Sequence, residues 1–261
     1  MIENQNHLQE KIDYSMLYDQ HPEYAARREK GSYECMRTDV EVRHFKLPNL
    51  VRLLHGWTPN SVLEIGCATG ELIGNFPVAR GAICRGVDIS DLNIGSARQR
   101  FPNVDFYSGD FQLMEFPLSD VVVLSDVLEH VPDDAGFLAS AAGFGCMVLV
   151  NLPLECNWFN WGRNYGPEDA SGHLRAYTLA EGLGLFVRAG LRLKSWERVW
   201  FHETDAERQI RVLKKQYLGA SYAGGAFGRT VRRGVYTLGK AVRPIGRRMF
   251  SSNLFALAEK S

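Results

Sequence analysis

The chemistry that this sequence could carry is concentrated in a few acidic side chains, two histidines and one run of small residues. Ser61 to Gly70 reads Ser-Val-Leu-Glu-Ile-Gly-Cys-Ala-Thr-Gly, an apolar run that ends in a tight turn. Glycines in such a turn let a ligand approach the backbone, and the N–H groups that open the next helix are free to receive it. A dinucleotide would require G-x-G-x-x-G, with its pyrophosphate seated over the helix N-terminus. Counting from Gly66, the third position is Ala68 and the sixth is Glu71. A carboxylate at that sixth position repels a pyrophosphate, so a nicotinamide or flavin dinucleotide is excluded.

Three further signals follow in chain order. Asp88 closes Gly86-Val87-Asp88-Ile89-Ser90, where an acid at a strand end can accept hydrogen bonds from two ribose hydroxyls. Asp110 and Phe111 close the next apolar run, and Ser125-Asp126-Val-Leu-Glu129-His130-Val-Pro132 closes the one after. Each signal alone has a structural explanation, as a helix N-cap, a turn residue or close helix–strand packing. Their order carries the argument, because open α/β sheets bind ligands at the carboxyl ends of successive strands.

The elements that must position these residues are legible as hydrophobic periodicity. Short apolar or β-branched runs at Ser61–Ile65, Ala82–Val87, Val104–Tyr107, Val121–Ser125, Cys146–Leu152, Leu191–Trp200 and Asn253–Glu259 predict strands. Helical stretches are predicted at 70–79, 91–100, 133–143 and 178–189. Val121 to Leu124 is continuously apolar, as expected of a central strand buried on both faces. Such alternation predicts an α/β fold with a mostly parallel sheet and helices on both faces.

Glu64-x-Gly66-x-Ala68-x-Gly70 resembles the first motif of class I S-adenosylmethionine-dependent methyltransferases, commonly Asp/Glu-x-Gly-x-Gly-x-Gly, with Ala68 in place of the middle glycine. The Glu129-His130-Val131 stretch is similar to that of the branch holding ubiquinone-biosynthesis and sugar O-methyltransferases. The resemblance implies a Rossmann-like seven-stranded sheet, mostly parallel, with its last strand antiparallel. It implies S-adenosyl-L-methionine as cofactor, whose sulfonium and amino-acid head replace a pyrophosphate and make an acidic strand end useful. The implied cofactor residues are Glu64, Gly66, Cys67, Ala68, Gly70, Asp88, Ile89, Asp110, Phe111, Ser125 and Asp126. In the family, the Asp110 position takes the adenine amino group and Phe111 lies by the ring.

For the acceptor side, methyl transfer to an alcohol needs a base, because a neutral hydroxyl is a poor nucleophile. His173, in Ser171-Gly-His-Leu-Arg175-Ala-Tyr-Thr178, resembles the H-x-R-x-[FY]-[ST] stretch of the same branch and is the preferred candidate, with His130 as the second. Both also suit loop-holding roles, and Thr178 with Glu181 is a capping box for the helix that follows. Trp158, Asn160, Trp161, Arg163 and Tyr165, together with Arg175, are candidates for binding a flat polar acceptor, or else form an apolar lid. The expected function is O-methylation of a small molecule or glycan. N- or C-methylation, RNA modification and a non-catalytic cofactor-binding scaffold remain alternatives.

Composition bounds the rest. The 261 residues carry 30 Lys+Arg and 30 Asp+Glu, but from Arg208 to Ala258 there are eleven basic residues and no acidic one. In that segment Val231, Val235, Leu238, Val242, Ile245 and Met249 recur at helical spacing, with Pro244 as an expected interruption. Three readings stay open for it: packing on the domain, lying on an anionic membrane surface, or binding RNA phosphate, although no nucleic-acid module is visible. The expected organisation is a helical cap over 1–60, whose Tyr14, Tyr18, His21 and Tyr24 are candidates to cover the site or else form amphipathic helix surface, the cofactor core over 61–204, a basic amphipathic helical insertion over 205–250, and a final strand over 251–261. The five cysteines are odd in number and show no C-x-x-C pair, so neither a disulfide framework nor a metal site is expected. Without an apolar N-terminal leader or a spanning run, a cytoplasmic protein is expected, with membrane association through the 208–250 segment as one reading.

Overall fold

The computed structural model describes residues 18–20, 22–166, 169, 171–219 and 226–261. Its centre is a seven-stranded sheet in the order β3-β2-β1-β4-β5-β7-β6. The strands are β1 (Ser61–Ile65), β2 (Ile83–Asp88), β3 (Asp105–Ser108), β4 (Ser119–Ser125), β5 (Gly145–Leu154), β6 (Leu191–Trp200) and β7 (Ser252–Lys260). The first five are parallel, and β7 inserts antiparallel between β5 and β6. This is the Rossmann-like α/β sheet that the resemblance implies, with its last strand reversed.

Side chains of β4 alternate between two cores. Val122 and Leu124 join Leu63, Ile65, Val148 and Val150 on one face, where α5 (Asp134–Ala142) and α6 (Leu179–Arg188) supply Leu138, Leu185 and Phe186. Val121 and Val123 join Val62, Leu149, Phe255 and Leu257 on the other, covered by α4 (Asp91–Arg100) through Ile94 and Ala97. The capping box at Thr178 forms as predicted, with the Glu181 side chain returning to the Thr178 amide. The N-terminal segment contributes to the second core as well. After α1 (Pro22–Arg28) and α2 (Tyr33–Glu41), a π-helical turn (Val42–Lys46) leads into α3 (Leu47–Arg52). Pro48 lacks an N–H and its ring opposes the carbonyl four residues back, which accounts for the wide turn before it. Phe45 in that turn packs edge-on to Phe255 at 5.4 Å and to Phe201 at 5.0 Å.

The helix predicted over 70–79 is not formed. A single 3-10 turn, Ile73–Asn75, stands in its place. Gly74 is a poor helix former, and Phe76 precedes Pro77, which drives it to extended backbone at φ −65°, ψ 130°. In the basic segment, α7 (Asp205–Leu218) and α8 (Ala226–Ala241) are followed by α9 (Arg243–Met249), with the break at Val242 just before Pro244. Tyr14 and His21, and the side chains of Arg229, Val231, Arg232 and Arg233, lie outside the described residues.

Phe255 is wholly buried where β7 meets the N-terminal helices. Truncation to alanine removes that contact as well as the apolar transfer energy. Phe255→Ala is therefore expected to lower unfolding free energy by about 3–5 kcal/mol, read from urea denaturation. A loss below about 1 kcal/mol would show that the N-terminal helices are not part of the cooperative core.

Candidate active site

Parallel register brings the carboxyl ends of β1, β2 and β4 to one level. Ile65 pairs with both Val87 and Leu124, so Gly66, Asp88 and Ser125 emerge side by side. The amides of Gly66 and Cys67 both donate to the Val87 carbonyl, at 2.8 and 3.0 Å. Beyond them a cavity of about 930 Å³ runs along the strand ends, from Asp110 and Phe111 after β3 to His130 and Glu155 after β4 and β5.

The turn after β1 is shaped for close approach. Gly66 has φ +76°, and a Cβ there would lie 2.5 Å from a Val127 methyl. Ala68 holds φ +46°, a left-handed conformation that costs a side-chain-bearing residue roughly 1–2 kcal/mol. That conformation explains why glycine is the commoner choice here. The Ala68 amide donates to Asp88 Oδ2 at 2.8 Å, while Asp88 Oδ1 accepts from Ser90 N–H at 3.0 Å. Asp88 thus links the turn to the end of β2. Burial pushes its carboxyl above the usual range, against the pull of those donors.

Of the sequence-predicted cofactor residues, Glu64, Gly66, Cys67, Ala68, Asp88, Ile89, Asp110, Phe111, Ser125 and Asp126 all line this cavity. Gly70 does not. It sits below the turn at φ +82°, where a Cβ would meet the Phe106 ring at 2.8 Å, so its demand is packing and not ligand contact. Glu64 is buried and accepts the Ile73 amide at 2.9 Å, which holds the turn that replaces the helix. Burial drives its carboxyl well above the usual range. Glu71 lines the cavity too, bonded to Thr69 Oγ1 at 2.6 Å and paired with Arg100.

The far end holds both histidines. The Leu174 amide donates to the Glu129 carbonyl at 2.9 Å, tying the 171–177 loop to the loop after β4. The two imidazoles thereby meet, with ring centroids 4.7 Å apart and planes 82° apart. His130 Nδ1 faces the Gly172 carbonyl at 3.0 Å, so that nitrogen is the donor. Burial, with the neighbouring His173, lowers the His130 pKa to about 4 and keeps the ring neutral. His173 Nδ1 bonds Glu155 Oε2 at 2.7 Å. Burial raises Glu155, but His173 and Arg163 outweigh it and hold the carboxyl below its usual range.

Several cavity residues carry no local signal in the sequence. Lys46, from the π-helical turn, pairs with Asp126 at 2.7 Å. Burial alone would lower this ammonium, yet Asp126 and Glu41 hold it above its ordinary value. Asn151 Nδ2 donates to Ser125 Oγ at 2.9 Å, and Asn253 Nδ2 to Asn151 Oδ1 at 2.8 Å, which fixes the end of β4 from β5 and β7. Tyr18 and Tyr24, two of the four N-terminal residues expected to cover the site, do line the cavity from that side, and Ser90 Oγ bonds Asp19.

The expected acceptor residues are placed elsewhere. Trp158, Asn160, Trp161 and Tyr165 line a separate, shallow hollow that shares only Glu155 with the main cavity. Arg163 and Arg175 line neither. Arg163 grips Asp169 with two bonds of 2.8 Å, and Arg175 donates to the Pro132 carbonyl at 2.6 Å. Both arginines hold loops and stand outside the two hollows.

Residues 63–144 match a family model described as a methyltransferase domain. Residues 63–144 thus carry a methyltransferase domain of the S-adenosylmethionine-dependent class. A probable S-adenosylmethionine-dependent methyltransferase of Mycolicibacterium smegmatis is 39% identical over 180 residues, 63% of this chain and 66% of that protein. A ubiquinone biosynthesis O-methyltransferase of Nitrosomonas europaea is 29% identical over 109 residues, 39% of this chain and 46% of that protein. The chain therefore spans just under two thirds of the first relative and under half of the second. In fold it is similar to magnesium protoporphyrin IX methyltransferase of Synechocystis, crystallised with S-adenosylhomocysteine, at TM-score 0.57 and 15% identity over 92% of this chain and 93% of that one. S-adenosyl-L-methionine is the cofactor of this class, and the residues implied for it, Gly70 excepted, come together in the lining of this one cavity.

Losing the Asp88 carboxylate removes charge-assisted hydrogen bonds of about 1.5–3 kcal/mol. Asp88→Ala should therefore weaken S-adenosylhomocysteine binding roughly 10- to 100-fold, as read by isothermal titration. Ala68→Gly, which relieves the left-handed backbone, should bind at least as well as the parent. The opposite order for the two variants would remove the assignment of this turn.

Proposed function

We propose that the protein is a methyltransferase that transfers the cofactor methyl group to an oxygen of a small molecule or glycan. The observation that carries this reading is the paired imidazoles at one end of the cavity, with His173 Nδ1 engaged by Glu155. A carboxylate on Nδ1 fixes the tautomer and leaves Nε2 as the basic nitrogen. S-adenosyl-L-methionine supplies a methyl carbon already activated by a sulfonium. What remains for the protein is to align the acceptor, exclude water and relieve the hydroxyl of its proton. Lys46, Asn151 and Asn253 hold the β4 end rigid for the first task. Tyr18 and Tyr24 cover the cavity for the second. His173 serves the third, with neutral His130 as its neighbour.

Incubating the protein with methyl-labelled cofactor and a small-molecule and lipid extract, then identifying the labelled product, tests the reading directly. Label on oxygen is expected; label on nitrogen or carbon, or no transfer despite cofactor binding, would overturn it. With an acceptor in hand, His173→Ala should lower kcat about 100-fold or more while KM for the cofactor stays unchanged.

We further propose that the C-terminal helices rest on an anionic membrane surface. No helix among the described residues is long and apolar enough to cross a membrane. The helical stripe is only partly consumed by packing: Met249 is buried and Tyr236 packs on Phe250, while Val235, Leu238 and Val242 are exposed and free to meet another surface. Trp161, 88% exposed, and Trp158 stand in the same hollow as Arg198, Arg247 and Arg248. Exposed tryptophans beside arginines match the chemistry of an anionic lipid interface. Sedimentation with phosphatidylglycerol vesicles should carry down the protein at low salt and less of it at high salt, and Trp161→Ala should weaken the binding at both. Equal sedimentation with neutral vesicles, or none with either, would sink the proposal.

A further inference from the structure

Glu129 is 1% exposed, yet it lines the cavity, and among the described residues neither of its carboxylate oxygens meets a hydrogen-bond donor of another residue. A buried carboxylate without such partners is costly and calls for a ligand. His130 Nε2 stands 3.8 Å from Oε1. Lys46, which lines the cavity from the N-terminal side, is engaged by Asp126.

What surrounds Glu129 is the donor set of a cation site. Glu129, His130 and His173 each offer one ligand atom, and these atoms lie within 4.8 Å of one another. Metal bonds of about 2.0–2.2 Å bring donors to within roughly 3–4 Å of each other, so side-chain adjustments of about an ångström complete the set. The second layer is already in place. His130 Nδ1 donates to the Gly172 carbonyl and His173 Nδ1 engages Glu155, which leaves both Nε2 lone pairs free. Imidazoles fixed through one nitrogen by a carbonyl or carboxylate are how proteins orient histidine ligands.

We propose that Glu129, His130 Nε2 and His173 Nε2 bind one first-row divalent cation. Two imidazoles and one carboxylate suit zinc, iron, cobalt or nickel better than magnesium or calcium, which prefer all-oxygen shells. Three protein ligands leave positions open to the cavity, where an acceptor oxygen can bind. The proposal rests on the oxygen-acceptor reading only for this last role; the site itself stands without it. With a cation in place, the acidity of a bound hydroxyl comes from the metal, and His173 acts as a ligand instead of taking the proton directly.

The test is isothermal titration of cobalt(II) into the untagged, chelator-treated full chain carrying Cys146→Ser and Cys156→Ser, because those two thiols are exposed and would compete. Binding of one ion per chain is expected, with a visible d–d absorption band that reports nitrogen and oxygen ligands. Glu129→Gln and His173→Ala should abolish the band, with folding checked by circular dichroism. Glu155→Gln, which frees His173 Nδ1, should weaken binding about 10- to 100-fold. No binding, or binding unchanged in Glu129→Gln, would overturn the site. Methyl transfer unaffected by chelation together with no cobalt binding would leave His173 as a base and the O-methyltransferase reading intact. Cobalt binding without any methyl transfer to oxygen would do the reverse.

Discussion

The site depends on the parallel register of β1 against its two neighbours. Because Ile65 pairs with Val87 on one side and Leu124 on the other, three chain segments leave the sheet at the same height. One carbonyl, that of Val87, then takes both the Gly66 and Cys67 amides and sets where the turn begins. A slip of one residue would move every side chain of β1 to the opposite face and carry Gly66 away from Asp88. Burial prevents that slip, since Val62, Leu63, Val122 and Val123 are all closed to solvent and divide between two apolar layers.

From that anchor the cavity acquires a chemical gradient. Toward β3 it is bounded by Asp88, Asp110 and the Phe111 ring, and toward β5 by two imidazoles and two carboxylates, Glu129 and Glu155. The second group meets only because the Leu174 amide bonds the Glu129 carbonyl across 45 positions of chain, while Tyr177 Oη donates to the Leu128 carbonyl. Backbone and phenol contacts therefore position the histidines, and Arg163 and Arg175 brace the same loop by holding Asp169 and the Pro132 carbonyl.

The cofactor half of the site was legible because its requirements are local. A strand end, a glycine turn and an acid must be contiguous in sequence, so Glu64, Gly66, Asp88 and Asp126 could be placed by number before any contact was known. Gly70 was readable as necessary but not for what: its constraint is the Phe106 ring, contributed by another strand. The helix expected after the turn was the clearest miss. Apolar spacing there is helical, but Gly74 and the Phe76-Pro77 pair override it, and the Glu64 carboxylate stabilises the short turn instead. The aromatic stretch 157–165 has a composition suited to an acceptor, yet composition carries no direction, and the fold turns it toward a different hollow.

The sequence by itself determined the sheet, the order of the cofactor signals and the exclusion of a dinucleotide by Glu71. Hydrophobic period and backbone chemistry are properties of neighbouring residues, and these follow from them. Only the tertiary structure decided what surrounds the reacting end. Lys46 reaches Asp126 from the N-terminal helices, Asn253 reaches Asn151 from the last strand, and Glu155 reaches His173 from the end of β5. It also left Glu129 buried, without a hydrogen-bond partner among the described residues, beside two histidines 43 positions apart in the chain. Such pairings are set by which elements pack together, and no spacing along a single chain records that.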